Sequence, residues 1–330
     1  MLKRRAPLFL LLLLSPAIAE LLTSSSPPVE FFTPFGLVVM VSLYGSGALL
    51  VRELLLRWRK GWPSLLALGA AYGIVEEGLM VKSFFNPQHP DLGILGVYGR
   101  WGGVNWVWAV ELTMFHAVFS VALPILLVRL IFPEQSQQPW LGRRGWAFWS
   151  MVLVLVTLTG LVLFPSQPPP GPYVLALLTV TLLITLARWL PGRPCPPSPG
   201  SVSRPIHFWL LGLLSTLAFF FTLWVVPSTG IHPLASILIS LLLAGSVTAR
   251  WLRMSGNALA WGNPHRFALV AGGLSFYILL SPIIEFDQTR TDDPRGMTLV
   301  GLAMLLFLAC TALRVRHNDA RDLPRGQAAS

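Results

Sequence analysis

The sequence predicts an all-α fold, a polytopic transmembrane helical bundle of about nine spans behind an N-terminal signal-like segment, and three observations support it. The 330 residues are 54% hydrophobic and only 12% charged, too little polar surface to cover a soluble globule of that size. The apolar residues gather into nine long runs. Each is too long for a barrel strand and lacks a strand's alternation, so helix is the assignment that satisfies the backbone in lipid. The basic residues recur in short patches between those runs and not on one face, a pattern of membrane topology and not of nucleic-acid binding, despite a net charge of +10.

Residues 1–19 begin with Lys3, Arg4 and Arg5, continue through an apolar run from Leu8 to Leu14, and reach the small-residue site Ala17-Ile18-Ala19 before Glu20. This reads as a signal peptide; the alternative is an uncleaved first span, for which the run is short of the ~20 apolar residues a spanning helix needs. Residues 20–33 contain Ser and Pro but no Lys or Arg and suit an outside linker. The transmembrane domain, 34–313, holds spans at approximately 34–57, 62–85, 104–131, 146–164, 173–190, 206–226, 233–252, 267–284 and 297–313. Residues 314–330 form a basic tail with a disordered composition, suited to anionic lipid.

Loop charge orients the chain. Of the 24 basic residues, 17 fall at span ends or loops on one side, among them Arg52, Arg57, Arg59, Lys60, Arg143, Arg144, Arg250, Arg253 and Arg316. Lys82, Arg100, Arg290 and Arg295 fall on the other. Because cytoplasmic loops retain Lys and Arg, the richer side is cytoplasmic. The N-terminus is then outside once a leader is removed, the C-terminus is inside, and the membrane is a bacterial-type plasma membrane.

The spans after the first read as four hairpins. Within 146–252, Pro165-Ser166 matches Pro227-Ser228, and Ala187-Arg188-Trp189-Leu190 matches Ala249-Arg250-Trp251-Leu252, at an offset of 62 residues. This suggests a duplicated hairpin, with chance similarity of apolar sequence as the alternative. The strings Tyr44-Gly45-Ser46-Gly47-Ala48 and Gly69-Ala70-Ala71-Tyr72-Gly73 let the first two spans approach their neighbours closely. Cys195, in a Pro-rich loop, and Cys310, in the last run, lie on different elements and exclude a disulfide framework.

Chemistry is concentrated in the region 34–131. Ionisable residues inside a bilayer are costly and mark function by default. The second span carries Glu76, Glu77 and Lys82, and the third carries Asn105, Glu111 and His116. At ~1.5 Å per residue, Glu76, Glu77 and Glu111 lie roughly 12–14 Å below the outer end and His116 roughly 18 Å down, so antiparallel packing can bring them together. A buried Glu with a His can act as general base on water; the same groups can relay protons or hold a cation in a transporter; or Glu76, Glu77, Lys82 and Glu111 pair and lock the hairpin. No metal motif such as H-E-x-x-H is present, and no metal or other cofactor is expected.

A double Glu followed 39 residues later by a His in the next span resembles the CPBP family of intramembrane CAAX-type endopeptidases and bacteriocin-processing relatives. The resemblance implies an intramembrane glutamate-type endopeptidase in which Glu76, Glu77 and His116 activate water. The chain departs from that pattern in three places: Lys82 stands one place later than the family's basic residue, Leu112 stands where a Phe is expected, and the His-x-x-x-Asn pair is missing, the nearest string being His232 to Ser236.

The catalytic candidates are therefore Glu76, Glu77 and His116, with Glu111, Lys82, Asn105 and Arg100 as binding candidates. Arg100 enters because the outside loop Asn86 to Gly103 can fold as a re-entrant lid over the carboxylates, an ordinary interfacial loop being the alternative. Membrane lipids and a membrane peptide or small solute are the expected partners, and nucleic acid is not. An ion- or proton-coupled transporter and a non-catalytic scaffold subunit stand beside the hydrolase as functions.

Overall fold

A backbone group that crosses hydrocarbon must be bonded within its own segment, and in the computed structural model the apolar runs are helical. The structure describes residues 2–164, 168, 170–192, 201–256 and 261–322. Among the described residues there are ten long helices. Helix α1 covers Leu2–Pro16 and runs on through a π-helical turn, Ala17–Leu21. Helix α2 is Pro34–Trp58, with the π turn Val41–Gly45 inside it. Helix α3 is Trp62–Ile74 followed by the π turn Val75–Met80. Helix α4 is Trp106–Ile131, with the π turn His116–Ala122. The remainder are α5 (Arg143–Leu163), α6 (Pro170–Trp189), α7 (Pro205–Trp224), α8 (Pro233–Ser255), α9 (Asn263–Glu285) and α10 (Met297–Asp322).

Eight of these, α2 and α4 to α10, are long and apolar enough to cross a membrane, which establishes an all-α multi-pass membrane protein. Proline sits in the first turn of α2, α3, α7, α8 and α9, where the amide it lacks has no helical partner to lose. Three boundaries differ from expectation. Helix α3 stops at Met80, because Lys82 turns the chain with φ 62°, a left-handed conformation. Helix α10 continues through Arg314 to Asp322, so the start of the expected disordered tail is helical; residues 323–330 lie outside the described residues. The expected leader, residues 1–19, is the third case: the helix runs past its end to Leu21, and Leu11, Ile18, Ala19 and Leu22 are fully buried.

The loops meet at two ends, sorted as the charges sorted them. At one end Arg52 reaches the carbonyls of Gln135, Ser136 and Gln138, Arg57 reaches Leu141, and Lys60 reaches Leu190. Arg52 also lies over the Trp140 ring at 3.2 Å, so this interfacial tryptophan serves as a cation partner. At the other end Tyr98 bonds the Ile231 carbonyl and Ser236, and Arg290 bonds the Ser24 carbonyl. A two-residue ribbon, Arg100–Trp101 paired antiparallel with Val104–Asn105, leads into α4.

The small-residue strings act as spacers. A Cβ on Gly69 would lie 2.8 Å from the Ala117 backbone, so α3 and α4 touch there main chain to main chain. Pro165-Ser166, half of one repeated string, lies outside the described residues, as do Cys195 and residues 193–200 of the Pro-rich loop; Cys310 is exposed on α10.

Candidate functional site

Four helices each break their α-helical register once, and each break carries a polar residue of one cluster. The π turns hold Glu20 in α1, Tyr44 in α2, Glu76 and Glu77 in α3, and His116 with Ser120 in α4. A π turn adds one residue to a helical turn and swings its side chains off the regular face, and such turns are frequent at functional sites. Here the added residues aim at a shared centre. Glycine in α3 makes room for it: a Cβ on Gly73 would meet the His116 Cβ at 2.8 Å.

His116 is the hub. Its Nε2 lies 3.1 Å from Glu77 Oε1 as a hydrogen bond, and 2.9 Å from Glu76 Oε2 as an ionic contact. On the other side of the ring Nδ1 is 2.8 Å from Ser120 Oγ, one helical turn on. That contact fixes the ring's orientation and faces Nε2 to the carboxylates. Glu77 Oε2 accepts from Ser83 Oγ, which in turn accepts from Trp108 Nε1 at 3.0 Å. His116, Glu76 and Glu77 are 1%, 3% and 8% exposed, so the three ionisable groups are desolvated and must satisfy one another.

The cluster extends beyond the residues expected. Tyr44 Oη lies 2.9 Å from Glu76 Oε1 and 2.5 Å from Glu20 Oε1, and Glu20 Oε2 accepts from Ser26 Oγ at 2.7 Å. A phenol has one proton to donate. With two carboxyl oxygens in range, at least one of the two carboxyl groups carries a proton and donates to Tyr44 in turn. Tyr72 packs its ring 6.4 Å from the His116 ring and 6.1 Å from that of Tyr44, and its buried hydroxyl has no hydrogen-bond partner. Glu76 Oε2 is likewise buried with no hydrogen-bond donor. One atom from each of Glu76, Glu77 and His116 lies within 4.8 Å of the others, a spacing one cation can bridge. The 2.9 and 3.1 Å separations at Nε2 are those of direct hydrogen-bonded or ionic contacts, an arrangement suited to holding a proton.

The expected binding residues do not join it. Lys82 is fully buried and spends its ammonium on the Phe164 carbonyl, tying the end of α3 to the end of α5. Arg100 donates to the Gly96 and Phe85 carbonyls at 3.1 and 3.0 Å. It braces its own loop, so it is not a lid cation over the carboxylates. Asn105 is the N-cap of α4: its Oδ1 accepts from the Trp108 amide at 3.0 Å and its Nδ2 donates to the Leu95 carbonyl. Glu111 lies five residues before His116, about 140° around the helix. It faces α8, where Ser240 Oγ donates to it.

A family model described as an uncharacterised membrane protein family matches residues 9–316. The chain belongs to that family. The match begins inside α1 and includes every residue of the cluster. It corrects the resemblance to the intramembrane CAAX-type endopeptidases, which rested on a double Glu and one His and on no third motif. A protein of Archaeoglobus fulgidus, described as an uncharacterised protein, is 31% identical over 179 residues, 52% of this chain and 54% of that protein. The chain thus matches about half the length of that relative. No solved structure matches.

Proposed function

We propose that this family member is a membrane-embedded hydrolase whose α1–α4 cluster activates a water molecule against an amide or ester carbonyl presented from the lipid phase. The observation that carries the reading is the His116 ring: Nδ1 held by Ser120, Nε2 held by Glu77, and Glu76 Oε2 2.9 Å from the same nitrogen with no donor of its own. A base, an acid and an orienting group in contact are what acyl transfer to water requires.

Each group takes one role. Glu76 Oε2 accepts a proton from water as the water oxygen bonds to the carbonyl carbon. The unpaired Tyr72 hydroxyl donates to the oxygen that becomes negative. The bond to the leaving amine or alcohol breaks as His116 Nε2–H gives it a proton. The proton on Glu76 then crosses to Nε2 and restores the starting state. Ser83 and Glu77 hold the imidazole in line throughout.

A second reading has its own support. Ser26, Glu20, Tyr44, Glu76 and His116 form an unbroken hydrogen-bonded and ionic chain, which suits proton transfer in an ion-coupled transporter. One experiment separates the two. Purified protein in vesicles is given a panel of fluorogenic peptides and esters that partition into lipid, and in parallel an imposed pH gradient. Hydrolysis falling roughly 10²-fold or more in Glu76→Gln and His116→Ala is expected, the usual worth of a positioned acid or base. Hydrolysis that survives both substitutions, or a gradient that collapses only with His116 present and with no hydrolysis, replaces the hydrolase with the transporter.

A further inference from the structure

The first 19 residues have the composition of a leader, yet the helix they form is built into the site. Helix α1 and its π turn supply twenty residues, Leu2 to Leu21, roughly 30 Å of helix and so the thickness of a bilayer's hydrocarbon core. Its packing is that of an internal helix. Leu11, Ile18, Ala19 and Leu22 are fully buried, and a Cβ on Gly45 of α2 would lie 2.6 Å from the Leu12 carbonyl oxygen, so the two backbones meet at that glycine. Ser15 Oγ sits between two partners, 3.1 Å from the Tyr44 carbonyl and 2.6 Å from that of Ser120, joining the two π turns that carry Tyr44 and His116. Beyond the helix, Arg290 pins the Ser24 carbonyl at 2.9 Å.

The Ala17-Ile18-Ala19 string that suggested a cleavage site lies inside the π turn of α1. Cutting there would remove Ser15, strip the α2 face at Gly45, and turn Glu20 into a chain end with an ammonium group beside its own carboxylate. With α1 retained, Lys3, Arg4 and Arg5 fall on the side that already holds 17 of the 24 basic residues, in keeping with the retention of Lys and Arg in the cytoplasm.

Among the described residues, Glu20 is the ionisable group that α1 brings to the centre, and it does so through the same kind of break in register that presents Tyr44, Glu76, Glu77 and His116. Unlike the last three it keeps partial exposure. Of the two carboxyls that share the Tyr44 hydroxyl, Glu76 faces the imidazole 2.9 Å away, which favours its ionised form, while Glu20 has only neutral hydroxyls for partners, Tyr44 and Ser26. The shared proton therefore belongs on Glu20, which donates to Tyr44, which donates to Glu76.

We propose that residues 2–22 are a permanent spanning helix of the working protein and that Glu20 is a positioning residue of the site, holding the proton that keeps Glu76 ionised through Tyr44. The contribution to turnover rests on the hydrolase reading; retention of the helix and the place of the proton do not, and they are measured separately. Intact-mass measurement of the full-length protein purified from membranes is expected to show residues 2–22 present, and a chain beginning at Glu20 overturns the first half. Infrared difference spectra at neutral pH are expected to show the carbonyl band of a protonated carboxyl group that disappears in Glu20→Gln and shifts in Tyr44→Phe. A band that persists unchanged in Glu20→Gln, or is absent from the unmodified protein, overturns the second half.

For turnover, Glu20→Gln keeps a neutral donor toward Tyr44 and is expected to stay within about threefold of the unmodified protein. Glu20→Ala is expected to lose about tenfold or more, the scale of one strong hydrogen bond at the transition state. Equal activity in the Ala and Gln variants, both shown folded by their melting temperatures, also overturns the role of Glu20. If no hydrolysis is found in the unmodified protein, the mass and infrared results still decide both halves.

Discussion

Helices α1–α4 and helices α7 and α9 solve the same problem, holding helices together in lipid, with a different balance of polar joints and glycine joints. In the first group, polar side chains on π turns bond across helices: Tyr44 to Glu20 and Glu76, His116 to Glu77, Ser15 to two carbonyls. In the second, the backbones meet at glycines, and a side-chain hydrogen bond, Trp209 Nε1 to Ser275 Oγ at 3.2 Å, crosses beside them. A Cβ on Gly212 would lie 2.3 Å from the Leu269 carbonyl oxygen, and one on Gly272 2.0 Å from that of Trp209. The apolar effect that drives packing in water is weak between helices surrounded by lipid tails, so close backbone approach and interhelical hydrogen bonds must supply the attraction. Polar joints cost desolvation and tend to serve chemistry; glycine joints serve shape. The difference also shows in burial. The most apolar windows of α2 and α4 are 50% and 61% buried inside the bundle, whereas those of α5, α6 and α8 are 11% buried, so the chemistry lies in the protected helices and the lipid-facing ones surround it.

The sharpest way to break this comparison is at the glycine joint. Gly272→Leu places a branched side chain where the Trp209 backbone lies, and a backbone, unlike a side chain, cannot rotate away. Helices α7 and α9 must separate, and a loss of about 3 kcal/mol or more is expected, at or beyond the upper end of overpacking costs. A fall in melting temperature in detergent, with the fraction that remains folded keeping its turnover per molecule, would show that this joint is structural only. Normal stability in Gly272→Leu would mean that the two helices are not in contact.

A smaller effect tests whether Glu111 belongs with scaffold or site. Its carboxylate has Ser240 for its hydrogen-bonded partner and one oxygen without any, and it joins α4 to α8 away from the His116 cluster. Ser240→Ala removes that donor, and about 1 kcal/mol of destabilisation is expected, within the measured range for hydrogen bonds between membrane helices. Turnover should be unchanged. A loss of turnover larger than the loss of stability would move Glu111 into the site.

How far the sequence could see follows from what each residue contrasts with. Glu76, Glu77 and His116 stand out because each is an ionisable group in an apolar run, and the structure brings these three together. Glu20 is the same kind of signal, but it directly follows a string that reads as a cleavage site and so has the place of a linker residue. Tyr44 and Tyr72 sit within small-residue strings whose glycines account for them as packing, and a tyrosine in an apolar run carries no charge to mark it. Asn105 has a local explanation, since an Asn immediately before a helical run is an N-cap; its own backbone is extended, with φ −86° and ψ 99°, and so lies outside the helix face that His116 shares. The sequence gives no sign of the π turns that begin at His116 in α4 and at Val75 in α3. An added residue in a helical turn is set by tertiary contacts and leaves no periodicity to read.

The smallest expected effect concerns the clasp on α1. Arg290 donates from Nε to Asp292 at 2.7 Å and from Nη2 to the Ser24 carbonyl at 2.9 Å, tying the loop after α9 to the end of α1. The Arg290 guanidinium holds the Asp292 carboxyl below its ordinary value of 3.8. For a carboxyl whose folded value is depressed, the stabilisation is fully present above the unfolded value and is lost as pH falls through the lower, folded one. The clasp is therefore intact from neutral pH down to about 4 and weakens below that. Both side chains are partly solvated, so the contribution is held to under about 1 kcal/mol. Amide exchange at residues 22–26, compared between pH 6 and pH 3, is expected to quicken at the lower pH beyond its intrinsic pH dependence in the unmodified protein. Asp292→Asn should remove that extra change. If the extra change persists unaltered in Asp292→Asn, another carboxylate sets it, and the link between this loop and α1 does not run through Arg290 and Asp292.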